Sequence, residues 1–523
     1  MADHIGFKWI AAQLGIEPVQ PFAVESRIGS LRRTVVNPTR IETYGASSRP
    51  EPTLAGHLTF GLKHELVNLE FLARMFAAID QRELEAWVRQ EPTGSYARRA
   101  AFFFEWLTGR RLDLPDTVAG NYVDALDARK YLVATRPVNV PRWRVRDNLP
   151  GTRAFCPTIQ RTDAIGEVER YDCSAALESL ERQFGADILM RSAVWLTIKE
   201  SRASFAIEHE EKQTDRVKRF AAAMESQCGQ SADPLTVEAL TALQLEILGT
   251  ATRYGIRQSP VFVGHTHGFD NIVDYIAPHW RHAGALLDGL RQSMERTVGG
   301  ASILRAAIAS FGFVYIHPMS DGNGRISRFL VNDILRRDGA IPAPFILPIS
   351  ATITNKAKER VGYDHALEAF SRPLMAKYRH DYRFDAKYVC EDGVASNFHF
   401  DAYDDALPAW RYPDLTRQAE FLGNIVRLTI EGEMSKEAGI LRDMEQAREA
   451  VKNHLEGPNP EIDQIIRSVR ENGWKVSNTL VKAFAPLADK ELAEAVAAAV
   501  RRVFEPTTSE SGADRSDLDA RKG

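Results

Sequence analysis

From Ser302 the chain reads SILRAAIASFGFVYIHP, with apolar residues at Ile303, Leu304, Ala307, Phe311, Val314 and Tyr315. That three-and-four spacing predicts a buried amphipathic helix. Pro318 cannot continue it, because its ring removes a donor and clashes with the preceding turn. After Asn323, GRISRFLVNDILRRDGA places Ile326, Phe329, Leu330, Ile334 and Leu335 on one face and predicts a second helix. Arg336 and Arg337 suit its C-terminal dipole, and Gly339 is a fitting C-cap. Upstream, LTFGLKHELVNLEFLARMFAAI and SYARRAAFFFEWLTG read as helices, the latter ending at Gly109 with an apolar run suited to packing. Three prolines in the stretch Val138 to Thr158 predict an extended crossing loop. In SPVFVGHTHGFDNIVDYIAP, residues 259–278, Val261, Phe262 and Val263 favour a strand and Gly264 to Gly268 can turn, which predicts a β-hairpin.

Toward the C-terminus, LTRQAEFLGNIVRLTIEGEM and KELAEAVAAAVRRVF are helical. Between them, IDQIIRSVRENGWKVSNTLVKAF predicts helix, turn at Gly473, helix. Such a pair can read DNA, or it can brace a core or bind a partner; the interleaved acids favour the second use. The fold class is mainly α. Residues 1–185 form a mostly helical N-terminal region, 186–375 a central domain, 376–505 a C-terminal helical region and 506–523 a polar, disordered tail.

Composition narrows the class. A chain of 523 residues with 44% hydrophobic and 26% charged residues is an ordinary globular protein. A net charge of −4 argues against a dominant nucleic-acid surface. No apolar run approaches a membrane span, and the N-terminus lacks a signal-peptide layout. The four cysteines, Cys156, Cys173, Cys228 and Cys390, form no disulfide or metal pattern, so reduced thiols in a cytoplasm are expected.

The turn between the two central helices concentrates the chemistry: IHPMSDGNGRISR, residues 316–328. Gly322 and Gly324 allow a backbone that points successive N–H groups into one concavity, at a helix start that adds unpaired donors and a positive dipole end. Arg325 and Arg328 share a face beside that anion hole, and guanidinium groups match phosphate oxygens in pairs. Asp321 is a hard oxygen ligand suited to Mg²⁺. His317 is the residue type best suited to take a proton near neutral pH. Base, metal ligand, anion cradle and arginine clamp together suit transfer of a nucleotide phosphate group.

This string resembles the signature of the Fic family, His-Pro-Phe-x-Asp/Glu-Gly-Asn-Gly/Lys-Arg-x-x-Arg, with Met319 where Phe is usual. The resemblance covers the central domain. It implies a Fic-type helical core with a small hairpin flap, and transfer of AMP from ATP to a Ser, Thr or Tyr hydroxyl of a protein. By position it implies His317 as base, Asp321 as Mg²⁺ ligand, Gly322, Asn323 and Gly324 as phosphate cradle with Asn323 near the α-phosphate, and Arg325 and Arg328 on the outer phosphates. Met, an adaptable apolar side chain, is expected to pack inward as Phe would.

Many members of this family carry an inhibitory helix of pattern Ser/Thr-x-x-x-Glu-Gly/Asn. ESRASFAIEHEE, residues 200–211, is similar, with Ser204 and Glu208 four apart, Ile207 before the Glu, and His209 in place of Gly or Asn. A solvated acidic helix end explains EHEEK equally well. As an inhibitory element, Glu208 would pair with Arg328 and occupy the space of the γ-phosphate. The hairpin at 259–278, with Val261, Phe262, Val263 and Gly264, would be the flap that docks an extended target segment. His265 and His267 fit polar flap residues better than a metal pair. Tyr363 would lie near the adenine, or simply in the core. The expected partners are ATP and a hydroxyl-bearing protein, with no membrane; a homo-oligomer is compatible. Proteins of this layout are mostly bacterial. Two alternatives stand beside this reading: a Fic enzyme that uses another donor or also removes AMP, and a non-catalytic nucleotide-binding regulator whose C-terminal helices contact DNA.

Overall fold

The computed structural model describes residues 3–30, 32–36, 39–117, 119–208, 210, 212–249, 253–267 and 270–505, and nothing is stated for the side chains of 266, 267, 270 and 271. His209, Gly268 and the tail 506–523 therefore lie outside the described residues. The described chain is mainly helical, with four small sheets. In order it runs β1 (His4–Ile5), α1 (Phe7–Leu14), β2 (Val24–Ile28), β3 (Arg33–Val36), β4 (Arg40–Tyr44), α2 (Leu54–His64), α3 (Leu69–Ala78), α4 (Gln81–Gln90), α5 (Ser95–Thr108), β5 (Val123–Asp124), β6 (Val138–Val140) and β7 (Val145–Asp147). There follow α6 (Asp163–Arg170), α7 (Cys173–Phe184), α8 (Ala186–Ile207), α9 (Thr214–Gln227), α10 (Val237–Leu248), β8 (Phe262–His267), β9 (Asp270–Ile276), α11 (Trp280–Arg296), α12 (Ser302–Ile316), α13 (Asn323–Arg337), α14 (Ile349–Asn355) and α15 (Ala357–Tyr378). The rest is β10 (Tyr382–Val389), β11 (Ala395–Phe400), α16 (Tyr403–Arg411), α17 (Thr416–Leu428), α18 (Ser435–Lys452), α19 (Asn459–Glu471), α20 (Asn478–Ala483) and α21 (Lys490–Phe504).

Two compact units divide the chain: Met1–Ser174 with Thr197–Thr429, and Ala175–Leu196 with Ile430–Gly523. They are not consecutive stretches, so the four linear regions read from sequence cut across them. In the first unit, α1–α5 bury Phe71, Phe76, Phe103 and Phe104 in an aromatic core. The order β1-β2-β4-β3, with β2 parallel to β4, builds its small sheet. The stretch expected as an extended crossing loop contains β6 and β7, paired antiparallel. At the centre, α12 packs on α11, α13 and α17 and is buried all round, from Ile303 to Ile316 with Val314 half-buried. Its small residues Ala306, Ala307 and Ala309 let those neighbours approach closely. In the second unit, α18, α19 and α21 close over Val451, Ile462, Ile466, Val469, Val496 and Val500. The turn expected at Gly473 is there, with φ of 62° at both Gly473 and Trp474.

One element corrects the sequence reading. Past the end of α15 the region read as helical from 376 opens with strands: β10 and β11 form an antiparallel hairpin closed by Gly393 at φ 75°. Tyr382, Phe384 and Phe398 cluster on it. The signal was the Asp392-Gly393 dipeptide between aromatic alternations, a strong turn signature.

Candidate functional site

The site is built where α12 ends and α13 begins. His317 caps α12 in the left-handed region, φ 49° and ψ 54°, with its N–H donating to Phe313 O at 2.8 Å. Its Nδ1 lies 3.2 Å from Val314 O, which can only accept, so Nδ1 carries the proton and Nε2 presents a lone pair. Burial, helped by the positive charge of Arg257, lowers the imidazole pKa to about 4, against the opposing pull of the Val314 carbonyl and Glu208. The ring is neutral at pH 7.

Between the helices the loop is closed by its own side chains. Met319 is fully buried, in agreement with the inward packing expected of it. Asn323 clasps the Met319 backbone twice, accepting from its N–H and donating to its O, both at 2.9 Å. The amide is thus turned onto the loop's own backbone, while the Asn323 N–H stays at the start of α13. From α10, Gln244 donates to Asp321 O at 2.8 Å and accepts from Gly255 N–H at 2.9 Å.

The two glycines serve different ends. Gly322 is the N-cap of α13 at φ 79°, a conformation that a side chain resists. Gly324 is already helical. A Cβ there would collide with Glu208 Oε1 and approach Arg328 Nη1 to 3.3 Å, so its requirement is space, not backbone freedom. The first helical bond of α13 runs from Ile326 N–H to Gly322 O, which leaves the N–H groups of residues 323–325 ahead of the ladder.

Both arginines are buried and held by the segment around the end of α8. Arg328 donates through Nε to Ser204 Oγ at 2.7 Å, and through Nη2 to Ser204 O at 3.0 Å and Glu208 Oε1 at 2.7 Å. Its Nη1 is buried with no hydrogen-bond acceptor among the described residues. Burial opposes the charge on Glu208, but the Arg328 guanidinium outweighs it and holds the carboxyl below its usual range. Arg325 pairs with Glu210, lies 3.3 Å from Asp321 Oδ1, and sits over the Phe205 ring at 4.9 Å. Glu210 was missed at the sequence level, because an acid in the run EHEE looks solvated. Further back on α8, Glu200 accepts from Ser350 N–H at 2.7 Å and Ser350 Oγ at 2.6 Å.

Asp321 is open to solvent on its side chain, with Oδ1 accepting from Gly322 N–H at 2.6 Å. No group of three or more His, Cys, Asp or Glu suited to a metal occurs among the described residues. A single free carboxylate oxygen beside an anion cradle is the donor set for an ion carried in by phosphates. Tyr363, on α15, packs on Phe421 at 5.9 Å. Burial raises its phenol pKa while Arg328 pulls it down, so it lies beside the arginine clamp.

The hairpin β8–β9 is present, bulged between Val263 and Gly264. Gly264 lies so close to Ile272 that a Cβ would meet its backbone carbonyl. Phe262, Val263 and Ile272 are exposed apolar side chains, and Val261 accepts from Ala277 N–H at 3.0 Å at the hairpin's root. His265 faces Asp274 at 2.8 Å. Phe262 packs against Phe398 of the second hairpin at 4.6 Å, tilted, and meets Phe384 edge-on at 5.4 Å.

A model of the Fic/DOC family matches residues 234–335, which hold α10, the hairpin β8–β9 and the helices flanking His317. Protein adenylyltransferase fic-1 of Caenorhabditis briggsae is 32% identical over 149 residues, 28% of this chain and 27% of that protein. The Caenorhabditis elegans protein of the same name is 31% identical over 149 residues, with the same shares. The chain thus spans about a quarter of the curated relatives it matches. A solved Fic family protein from Desulfovibrio desulfuricans G20 aligns with 63% of this chain and 96% of its own, at 17% identity and a TM-score of 0.36. No helix among the described residues is long and apolar enough to cross a membrane.

Proposed function

We propose that this chain, whose residues 234–335 match the Fic/DOC family, is a protein adenylyltransferase, moving AMP from ATP to a Ser, Thr or Tyr hydroxyl of a target protein and of itself, and held off by Glu208. In this reading the hydroxyl oxygen attacks the α-phosphorus, its proton passes to Nε2 of His317, and pyrophosphate leaves. His317 suits the base: it is neutral, with its tautomer set by Val314 O. The backbone N–H groups at the start of α13 cradle phosphate oxygens, and Arg325 and Arg328 hold the outer phosphates. Asp321 would hold Mg²⁺, which when bound neutralises charge on the phosphates. The flap strands align an extended target segment.

The observation that carries this reading is Arg328. A buried guanidinium near a helix start, with one nitrogen lacking an acceptor among the described residues, is a donor left for an anion, and a carboxylate already occupies its other arm. Glu208 thereby adds a negative charge where the γ-phosphate must sit, and turns the α-phosphate out of line.

The test is the initial rate of labelled AMP incorporation at equal ATP for the wild type, Glu208→Gly, and Glu208→Gly with Arg328→Ala. Glu208→Gly should exceed wild type, and the double variant should lose the gain. The mass of the adduct identifies the donor when ATP and UTP are offered together. If Glu208→Gly is no faster than wild type, Glu208 is only a surface acid.

A further inference from the structure

Arg257 lies in the segment between α10 and β8 and is 1% exposed. Among the described residues no carboxylate pairs with it. Its guanidinium donates only to backbone carbonyls: Nε to His317 O at 2.7 Å, Nη1 to Ser259 O at 3.0 Å, and Nη2 to Pro278 O at 2.6 Å and Ile316 O at 3.4 Å. Its own N–H donates to Pro318 O at 3.0 Å, and its neighbour Ile256 bridges to Met319.

The four acceptors have a pattern. Ile316 and His317 are the end of α12 and the candidate base. Ser259 and Pro278 are the two roots of the hairpin β8–β9, one before its first strand and one after its second. One side chain therefore ties both feet of the flap to the backbone of the base. A buried cation without a carboxylate is costly, and four carbonyl dipoles are what make it tolerable. A residue other than glycine in the left-handed region persists only where its surroundings over-determine it. At His317 the surroundings include a charge-assisted hydrogen bond on its own carbonyl.

We propose that Arg257 is a positioning residue for the transfer: its clamp holds His317 and the target-presenting flap in one register, so that the hydroxyl arrives in line with both base and α-phosphate. This rests on the adenylyltransferase reading. Arg257 touches none of the cradle donors, the arginine clamp or Asp321 through a hydrogen bond, so the nucleotide site should survive its loss.

The experiment uses the full chain carrying Glu208→Gly, with Arg257 intact or changed to Lys or Met. ATP affinity is measured by calorimetry, folding by thermal melting, and labelled AMP incorporation as a function of ATP concentration and pH. The expected result is an ATP affinity within about twofold of the parent and a kcat lowered by about 10² in Arg257→Met, the cost of a misplacement of about 1 Å. Arg257→Lys keeps the charge but cannot span four carbonyls, so its kcat should fall between the two. The pH profile adds a readout that a purely structural role would not move. The charged groups facing His317 are Arg257 and Glu208. With Glu208 absent in all three proteins, the acid limb should move upward in Arg257→Met and stay in Arg257→Lys.

If the parent Glu208→Gly transfers nothing, the adenylyltransferase reading itself fails. If the parent is active and both variants fold and match its kcat, the clamp proposal is overturned. Parallel loss of ATP binding and transfer overturns it too. Should Arg257→Met not fold, Arg257→Lys is judged by the same ATP-affinity and kcat criteria; if neither folds, Arg257 serves folding alone and the proposal falls.

Discussion

At His317 a left-handed backbone, a bonded Nδ1 and partial burial converge on a neutral imidazole with one free nitrogen. His317→Ala should therefore remove AMP transfer by about 10²–10⁴ in rate, the usual cost of losing a general base, while ATP still binds. Near wild-type transfer in that variant would falsify the assignment. The depressed pKa also sets a pH signature. A histidine whose folded pKa is lowered is in its base form at every pH above that value, so transfer by Glu208→Gly should stay level from pH 8 down to about 5.5. An imidazole at the usual value of about 6.5 would lose about tenfold over the same interval. Glu208 sharpens the contrast. Its carboxyl lies below its usual range, so its pairing with Arg328 is lost only as pH falls through that lowered value. Acidification to pH 5.5 should leave wild-type transfer low, which rate measurements across that range would check. Asp321→Ala should raise the Mg²⁺ concentration needed for half-maximal rate; an unchanged Mg²⁺ dependence counts against its role as ligand.

At the scale of elements, the segment that ends α8 is more than one carboxylate. Ser204 and Glu208 hold Arg328, Glu210 holds Arg325, and Glu200 anchors the helix to Ser350. Ser204→Ala leaves the buried Nε of Arg328 without its acceptor, and a lost buried hydrogen bond typically costs about 1–3 kcal/mol. It should raise basal transfer, but less than Glu208→Gly, because the carboxylate stays. Glu210→Ala on top of Glu208→Gly should add a further severalfold gain by freeing Arg325. Rates no higher than those of Glu208→Gly alone would make Glu210 a bystander. In the flap, the close approach of Gly264 to the Ile272 carbonyl leaves no room for a side chain. Gly264→Val should therefore lower modification of a protein target without changing ATP affinity, as paired binding and transfer assays would show.

For the whole molecule, the alternative of a DNA-contacting regulator depends on the second unit. Its turn at Gly473 leads into α20, only six residues long. That is short for a helix laid along a major groove, and the chain's net charge is −4. The full chain should give no salt-dependent shift of duplex DNA in gel retardation. A shift that weakens steeply with salt, together with function retained by His317→Ala, would favour the regulator.

Local sequence determined the two central helices, because apolar spacing and Pro318 act within a few residues of the positions they govern. It determined the chemistry of the turn for the same reason: residue types suited to base, cradle and clamp sit within one thirteen-residue string. The pattern at Ser204 and Glu208 was legible, yet it fitted a solvated helix end as well as a latch, since nothing local names the partner of an acid. Tertiary structure set Glu208 against Arg328 across 120 positions of chain. It turned Asn323 inward onto Met319, explained Gly324 by a collision rather than by backbone freedom, and paired the half-exposed Glu210 with the buried Arg325. It also brought Arg257 under both the flap and the base. A lone arginine before a strand carries no periodicity and no motif, and its four acceptors are carbonyls that every residue possesses. Their convergence is a property of three-dimensional packing, which is why only the folded chain could reveal it.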